Sequence, residues 1–169
     1  MLKVNIVQPS QKRIAIVIPT THSRLMVIKM HLENLAKIQK VLKPYVLIVV
    51  ATDKCSLLNS IEKKLKLMRR NFPKLDISWI VLGPDYGPAT AYYIGMKFAY
   101  RMGFDLISLA DDDAIPVDEN FISKLAEYSQ EYGVVQPYNV DAHNWLLTNH
   151  YKTIRRDIIE RAGYIDPIF

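Results

Sequence analysis

The chain has 169 residues, half of them apolar and 23% charged, which is ordinary for one globular domain. Its net charge of +5 is compatible with an anionic ligand or a membrane surface. The densest basic segment, residues 63–70, lacks the interleaved aromatic residues typical of nucleic-acid binding, so a nucleic-acid partner is not expected.

Membrane insertion and secretion are also disfavoured by the sequence. No apolar run approaches the roughly 18–20 residues that cross a bilayer, and residues 1–13 lack the apolar region of a signal peptide. The single cysteine, Cys55, cannot form an internal disulfide and fits a reducing compartment. We therefore expect a cytoplasmic protein without a transmembrane segment, for which peripheral membrane contact through the basic segment stays open.

Short apolar runs alternate with longer amphipathic segments along the chain. The runs are rich in β-branched residues and predict buried strands at 13–18, 45–50, 76–82 and 105–110. The amphipathic segments predict helices at 23–39, 55–70, 88–102 and 118–132. Shorter elements are expected as strands at 133–136 and 145–148 and as a helix at 155–161. Residues 1–11 predict either an arm or an extra edge strand.

This alternation predicts an α/β fold, a mostly parallel Rossmann-like sheet with helices on both faces. No internal repeat or linker interrupts it, so residues 1–169 are expected to form a single domain. Ligands of open α/β sheets bind outside the carboxyl ends of the strands. That rule selects four loops, at residues 19–23, 51–55, 82–88 and 110–116.

Three consecutive aspartates, Asp111, Asp112 and Asp113, occupy the last of these loops. Adjacent carboxylates repel one another unless water or a cation neutralises them. Side chains two apart in an extended segment project to the same side, so Asp111 and Asp113 can converge on one ion. Hard oxygen ligands favour Mg²⁺ or Mn²⁺, which would stabilise charge on a diphosphate. The alternative is a solvated turn whose carboxylates cap helices.

Five segments in chain order resemble the motifs of family 2-like GT-A glycosyltransferases, and the aspartates stand where that family has its DxD motif. The short chain is similar to compact members found in archaea and their viruses. The segments are RIAIVIPTT (13–21), YVLIVVATD (45–53), GPATAYYIGMKFA (87–99), LISLADDDAIP (106–116) and HYKTIRRDIIERAGYIDPIF (150–169).

The resemblance implies an inverting transfer of sugar from a nucleoside-diphosphate sugar, usually a UDP-sugar, to a saccharide, protein or lipid acceptor. Residues 12–116 would form the nucleotide-sugar half and residues 117–169 the acceptor side. Asp111 and Asp113 would hold Mn²⁺ or Mg²⁺. The resemblance also implies a set of nucleotide-sugar contacts, comprising Pro19, Thr20, Thr21, Asp53, Gly87, Tyr92, Asp111 and Asp112.

The sequence departs from the family pattern at three places. Ala51 and Thr52 stand where the family has two acids, so Asp53 is expected to approach the base instead. The tyrosine pair Tyr92-Tyr93 replaces an Arg-Asn pair, and we expect one tyrosine in the site and the other in the core. The family's catalytic base lies beyond the position of Phe169.

An inverting transfer needs a carboxylate that accepts the proton of the acceptor hydroxyl. Asp141 and Asp166 are the candidate bases within this sequence, whereas the other two acids considered, Asp157 and Glu160, fall on the predicted helix and are expected to be solvated or paired. Two other functions remain open, a non-catalytic nucleotide-sugar-binding module and a sugar nucleotidylyltransferase. The absence of G-x-G-x-x-G and of GK[ST] disfavours a dinucleotide enzyme and excludes a P-loop NTPase.

Overall fold

A computed structural model describes residues 3–9, 13–38, 42–83, 87–116, 118–137 and 151–164. Within these ranges the strands form one seven-stranded sheet in the order β1-β4-β3-β2-β5-β7-β6. The strands are β1 Lys3–Asn5, β2 Ile14–Thr21, β3 Tyr45–Ala51, β4 Asp76–Val81, β5 Leu106–Leu109, β6 Val134–Val135 and β7 Lys152–Arg155. The helices are α1 Leu25–Ile38, α2 Leu58–Asn71, α3 Pro88–Arg101, α4 Phe121–Tyr132 and α5 Arg156–Ala162.

The centre of the sheet is parallel, as the sequence predicts. Strands β4, β3, β2 and β5 run in the same direction, with Ile16 opposite Val46 on one side and Ser108 on the other. The added edges are antiparallel: β1 pairs with β4, β7 with β5, and β6 with β7. Of the two structures expected for the N-terminal residues, the edge strand is therefore the one found.

Helices cover both faces of the sheet because alternate strand residues point to opposite sides. In β2, Ile16 and Ile18 pack in the cluster that contains residues of α1, α2 and α4. Ala15 and Val17 pack in the second cluster, with residues of α3 and with Ile159 of α5. The predicted α/β architecture is confirmed.

Gly95 lets α3 approach the sheet closely. A methyl group at this position would overlap Cγ1 of Val17 in β2 and would lie 3.2 Å from Cγ2 of Val49 in β3. Small side chains at Ala91 and Ala99 are buried on the same helix. This close approach fixes where the first turn of α3 lies relative to the ends of β2 and β3.

One strand was not predicted. β7 spans four residues, KTIR, with a cation at each end and none of the long apolar pattern that marks the central strands. Residues 145–148, which the sequence predicts as a strand, lie outside the described residues. No helix in the described ranges is long and apolar enough to cross a membrane.

Candidate active site

A cleft of about 390 Å³ opens at the carboxyl ends of β2, β3 and β5, beside the first turn of α3. All four loops selected from the sequence contribute to it, so the cleft lies at the edge where ligands of open α/β sheets bind. The cleft is lined by Pro19, Thr20, Thr21, Arg24, Ala51, Gly87, Pro88, Ala91, Asp111, Asp112 and Asp113.

Asp112, the middle aspartate, is bound by the protein itself. The hydroxyl of Thr20 donates to its Oδ2 at 2.7 Å. Arg24 donates from Nε to Oδ2 at 2.8 Å and from Nη2 to Oδ1 at 2.6 Å. The Asp112 side chain is only 10% exposed. Both carboxylate oxygens are thus engaged inside the molecule, which favours an anchoring role; the expected contact with a nucleotide sugar stays a prediction.

Arg24 also reaches the next aspartate. Its Nη2 donates to Oδ2 of Asp113 at 2.9 Å, and the Asp113 side chain is 61% exposed. The hydrogen bond to Asp112 raises the pKa of the Arg24 guanidinium above its ordinary value. Arg24 was not among the site residues predicted from the sequence. The signal that the sequence offered was a single Lys or Arg in the loop after β2, at the sheet edge where the fold also places the acidic triplet.

Asp111 accepts a hydrogen bond from Tyr92, whose hydroxyl lies 2.6 Å from Oδ1. The Tyr92 ring is buried in the core between α3 and the sheet. Burial, with the hydrogen bond to Asp111, raises the pKa of Tyr92, so the phenol keeps its proton and remains a donor. Tyr93 is half-buried and its hydroxyl accepts from Lys97 at 3.0 Å. Of the tyrosine pair, Tyr92 is the one whose hydroxyl contacts the aspartates.

His31 of α1 supports the aspartate loop from the core. It is fully buried, and its Nδ1 lies 3.1 Å from the carbonyl oxygen of Asp112. A carbonyl only accepts, so Nδ1 carries the proton and Nε2 accepts from the hydroxyl of Tyr151. Burial lowers the pKa of His31 to about 4, which keeps the ring neutral. Tyr151 has a left-handed φ of 60° and packs edge-on against Phe121.

The remaining predicted residues fall into three groups. Pro19, Thr21 and Gly87 line the cleft, and Gly87 precedes α3 with a φ of 83°. Asp53 is exposed and is not among the residues that line the cleft, so its contact with the base stays a prediction. The candidate bases Asp141 and Asp166 lie outside the described residues.

The described chain on either side of residues 138–150 lies at the same edge of the sheet as the cleft. Lys152 pairs with Leu109 at the end of β5, and Val135 pairs with Thr153. Because β7 is antiparallel to both neighbours, the end of β6 and the start of β7 lie together beside the aspartate loop. The described residues that precede and follow 138–150 therefore lie at the carboxyl edge of the central strands, although none of them is among the residues that line the cleft.

The acidic residues fit a metal that binds together with phosphates. Within the described ranges, no group of three or more His, Cys, Asp or Glu side chains is placed to hold a metal ion. Mg²⁺ bound with a nucleotide needs only one or two carboxylates, because phosphate oxygens and water complete its shell. Asp111 and Asp113 line the same cleft and supply that number.

Comparison by sequence finds no matching protein-family model and no matching curated protein. Comparison with solved structures finds similar chains. The mannosyltransferase PcManGT from Pyrobaculum calidifontis, in complex with GDP-Man and Mn²⁺, matches 99% of this chain with 14% identity and a TM-score of 0.74. TarS of S. aureus, as residues 1–349 in complex with UDP, matches 92% with 18% identity and a TM-score of 0.65.

Both neighbours are longer than this chain, which spans 51% of each. At such low identity the likeness concerns the arrangement of the backbone, and the cleft edge of this sheet is part of the matched length. The structural likeness and the ordered sequence motifs agree, and the chain has the GT-A-like fold of nucleotide-sugar glycosyltransferases.

Proposed function

We propose that this chain is the nucleotide-sugar-binding domain of a metal-assisted glycosyltransferase. The observation that carries the proposal is the convergence of Asp111 and Asp113 with the first turn of α3 in one cleft at the carboxyl edge of the sheet. Carboxylates bind a divalent cation, and the exposed N–H groups of a helix N-terminus favour a diphosphate. Structural neighbours that bind GDP-Man with Mn²⁺, or UDP, support the same assignment.

Different described residues would contact different parts of the donor. Pro19, Thr20 and Thr21 form the wall at the end of β2, where a base and ribose would lie. Asp111, oriented by the hydroxyl of Tyr92, and the exposed Asp113 would hold Mn²⁺ or Mg²⁺ against the diphosphate. When bound, such a cation neutralises the charge that develops on the departing diphosphate.

In the proposed reaction the acceptor hydroxyl oxygen forms a bond to the anomeric carbon of the donor sugar. The bond from that carbon to the diphosphate oxygen breaks, and its electron pair leaves with the nucleoside diphosphate. A carboxylate takes the hydroxyl proton, and attack opposite to the leaving group inverts the anomeric configuration. Asp141 and Asp166 are the proposed bases. Residues 12–116 supply the donor half and residues 117–169 the acceptor side.

A thermal-shift titration tests the donor site. UDP, GDP, CDP and ADP are each added with Mn²⁺, with Mg²⁺ and with EDTA, to the natural chain and to Asp113→Ala. A ligand at a hundredfold excess over its Kd stabilises the folded state by about 2.7 kcal/mol. We expect one nucleotide to raise Tm only when metal is present, and Asp113→Ala to abolish the rise.

The matched control is Asp118→Ala, which removes an exposed aspartate that pairs with Lys124 and is not among the cleft residues. It should keep the nucleotide-dependent rise in Tm. If no nucleotide raises Tm with either metal, or if Asp113→Ala keeps the full rise, the donor site as proposed is wrong.

A further inference from the structure

Among the described residues that line the cleft, Arg24 is the single cation and Asp111, Asp112 and Asp113 are the three carboxylates. The formal charges of these four side chains sum to −2. Arg24 makes three hydrogen bonds to two of these carboxylates, between 2.6 and 2.9 Å. The folded protein therefore already holds one cation where the proposed function expects another.

The two contacts of Arg24 differ in strength. The contact with Asp112 uses two donors and both carboxylate oxygens, and Thr20 reinforces it. The Asp112 side chain is 10% exposed, whereas that of Arg24 is 46% exposed. The contact with Asp113 is a single hydrogen bond to a side chain that is 61% exposed. Paired donors on a carboxylate are stronger and more directional than a single exposed bond. The bond to Asp113 is thus the one that an incoming ligand would exchange.

A divalent cation that binds Asp113 meets a guanidinium already hydrogen-bonded to that carboxylate. Like charges at such short range repel, and the repulsion weakens the binding of a metal that arrives alone. A diphosphate that arrives with the metal brings negative oxygens, which are attracted to both cations. The repulsion is then offset within the complex.

We propose that Arg24 is a resident counter-cation of the aspartate loop, which makes binding of the divalent metal depend on the donor diphosphate. The proposal rests on the proposed function for the identity of the two ligands. In this role Arg24 is a positioning residue. It holds Asp112 in place with and without ligand, and the metal replaces its hydrogen bond to Asp113 when the nucleotide binds. A purely structural Arg24 would hold Asp112 without opposing the metal.

The test measures Mn²⁺ binding by the loss of the electron paramagnetic resonance signal of free Mn²⁺. The natural chain, Arg24→Gln and Arg24→Lys are titrated with Mn²⁺ alone and with Mn²⁺ plus UDP or GDP. Because one opposing charge is removed, Arg24→Gln should bind Mn²⁺ alone roughly tenfold more tightly at low ionic strength. The enhancement of Mn²⁺ affinity by the nucleotide should shrink by a similar factor, because the repulsion from Arg24 opposes Mn²⁺ alone and is offset when the diphosphate is present. Arg24→Lys keeps the charge and should stay close to the natural chain.

Arg161→Gln is the matched control, because it removes one exposed arginine on α5 that pairs with Asp157 and lies outside the cleft residues. It should leave Mn²⁺ affinity unchanged. Should Arg24→Gln fail to fold, Arg24→Gln/Asp112→Asn removes both partners of the ion pair and is compared with Asp112→Asn, from which it differs only in the Arg24 charge. The double variant should bind Mn²⁺ alone more tightly than Asp112→Asn. A folded variant lacking the Arg24 charge that binds Mn²⁺ alone no more tightly than its matched Arg24-containing protein overturns the proposal.

The same titration separates this proposal from the proposed function. If the natural chain binds nucleotide with Mn²⁺ and Arg24→Gln changes nothing, only the role of Arg24 is wrong. If Arg24→Gln gains affinity for Mn²⁺ but no nucleotide binds either protein, Arg24 opposes a cation as proposed and the donor site is wrong.

Discussion

Asp112 differs from its two neighbours in what surrounds its carboxylate. Thr20 and Arg24 satisfy both of its oxygens, and His31 binds its backbone carbonyl. Asp112 is therefore tied to β2 through Thr20 and to α1 through His31, and Arg24 links it to the turn that leads into α1. The side chains of Asp111 and Asp113 have fewer of these anchoring contacts in the hydrogen bonds described above, with one from Tyr92 and one from Arg24 respectively.

Burial of His31 makes the stability of the protein depend on pH. Its pKa is about 4 in the folded protein and about 6.5 in an unfolded chain. Above pH 6.5 the ring is neutral in both states, and its contribution to stability is fully present. As pH falls toward 4, His31 binds a proton in the unfolded chain but not in the folded protein, so the free energy of unfolding decreases. We expect a loss of about 2 kcal/mol from this residue between pH 6.5 and 4.5, measured by urea denaturation.

His31→Gln is the matched variant for this measurement. A glutamine can donate to the carbonyl of Asp112 and accept from Tyr151, but it does not titrate. Its stability should fall less steeply than that of the natural chain over the same pH range. Equal slopes for the two proteins would contradict a depressed His31 pKa.

Cleft residues that are adjacent in the sequence could be predicted from it. Contacts between residues that are far apart in the sequence could not. Asp111 and Asp113 were predicted because they follow a strand in a loop at the carboxyl edge of the sheet, and both line the cleft. Arg24 was missed because its partner Asp112 is 88 positions away, and no local pattern records such a pairing. His31 was missed because it occupies the apolar face of α1, between Ile28 and Leu32, where periodicity predicts an ordinary core residue.

Among the elements, α3 depends most directly on one small residue. Gly95→Ala would place a methyl group against Val17, a β-branched residue of the central strand β2. The better helix propensity of alanine offsets about 1 kcal/mol of the strain. Overpacking typically costs about 1–3 kcal/mol, so we expect a net loss of up to about 2 kcal/mol in the free energy of unfolding. Urea denaturation at pH 7 measures this loss.

A double-mutant cycle with Val17→Ala identifies the cause. Val17→Ala alone should destabilise the protein by creating a cavity, but combined with Gly95→Ala it makes room for the added methyl group. The double variant should therefore be more stable than the sum of the two single changes predicts. Strict additivity would show that contact with Val17 is not the reason for glycine at this position.

The strands show the same difference: those with a local sequence pattern were predicted, and one that depends on distant pairing was not. Strands β2 and β3 were predicted because both of their faces are buried, which produces an unbroken apolar run. β7 was missed because it has only four residues, and its place in the sheet comes from pairing with β5, 43 or more positions earlier, rather than from its own composition. The antiparallel edge of the sheet could not be read from the periodicity of the chain.

At the scale of the whole molecule, the sheet runs without interruption through both proposed halves. β5 belongs to the donor half and β7 to the acceptor side, yet they pair over four residues. We therefore expect one cooperative unfolding transition for the 169 residues. At about 0.7 kcal/mol per residue near 60 °C, differential scanning calorimetry should give an enthalpy of about 120 kcal/mol. Two separate transitions, or a calorimetric enthalpy well above the van't Hoff value, would show that the halves unfold independently.

Pairing between β2 and β5 also sets the moment during protein synthesis at which the cleft can exist. Thr20 and Asp112 are 92 positions apart, and the ribosome adds about 5–20 residues each second. The cleft residues at the end of β2 leave the ribosome well before the three aspartates. A nascent chain therefore has no complete cleft until Asp113 has emerged and β5 has paired with β2. Until then, the proposed nucleotide donor has no finished pocket on this chain.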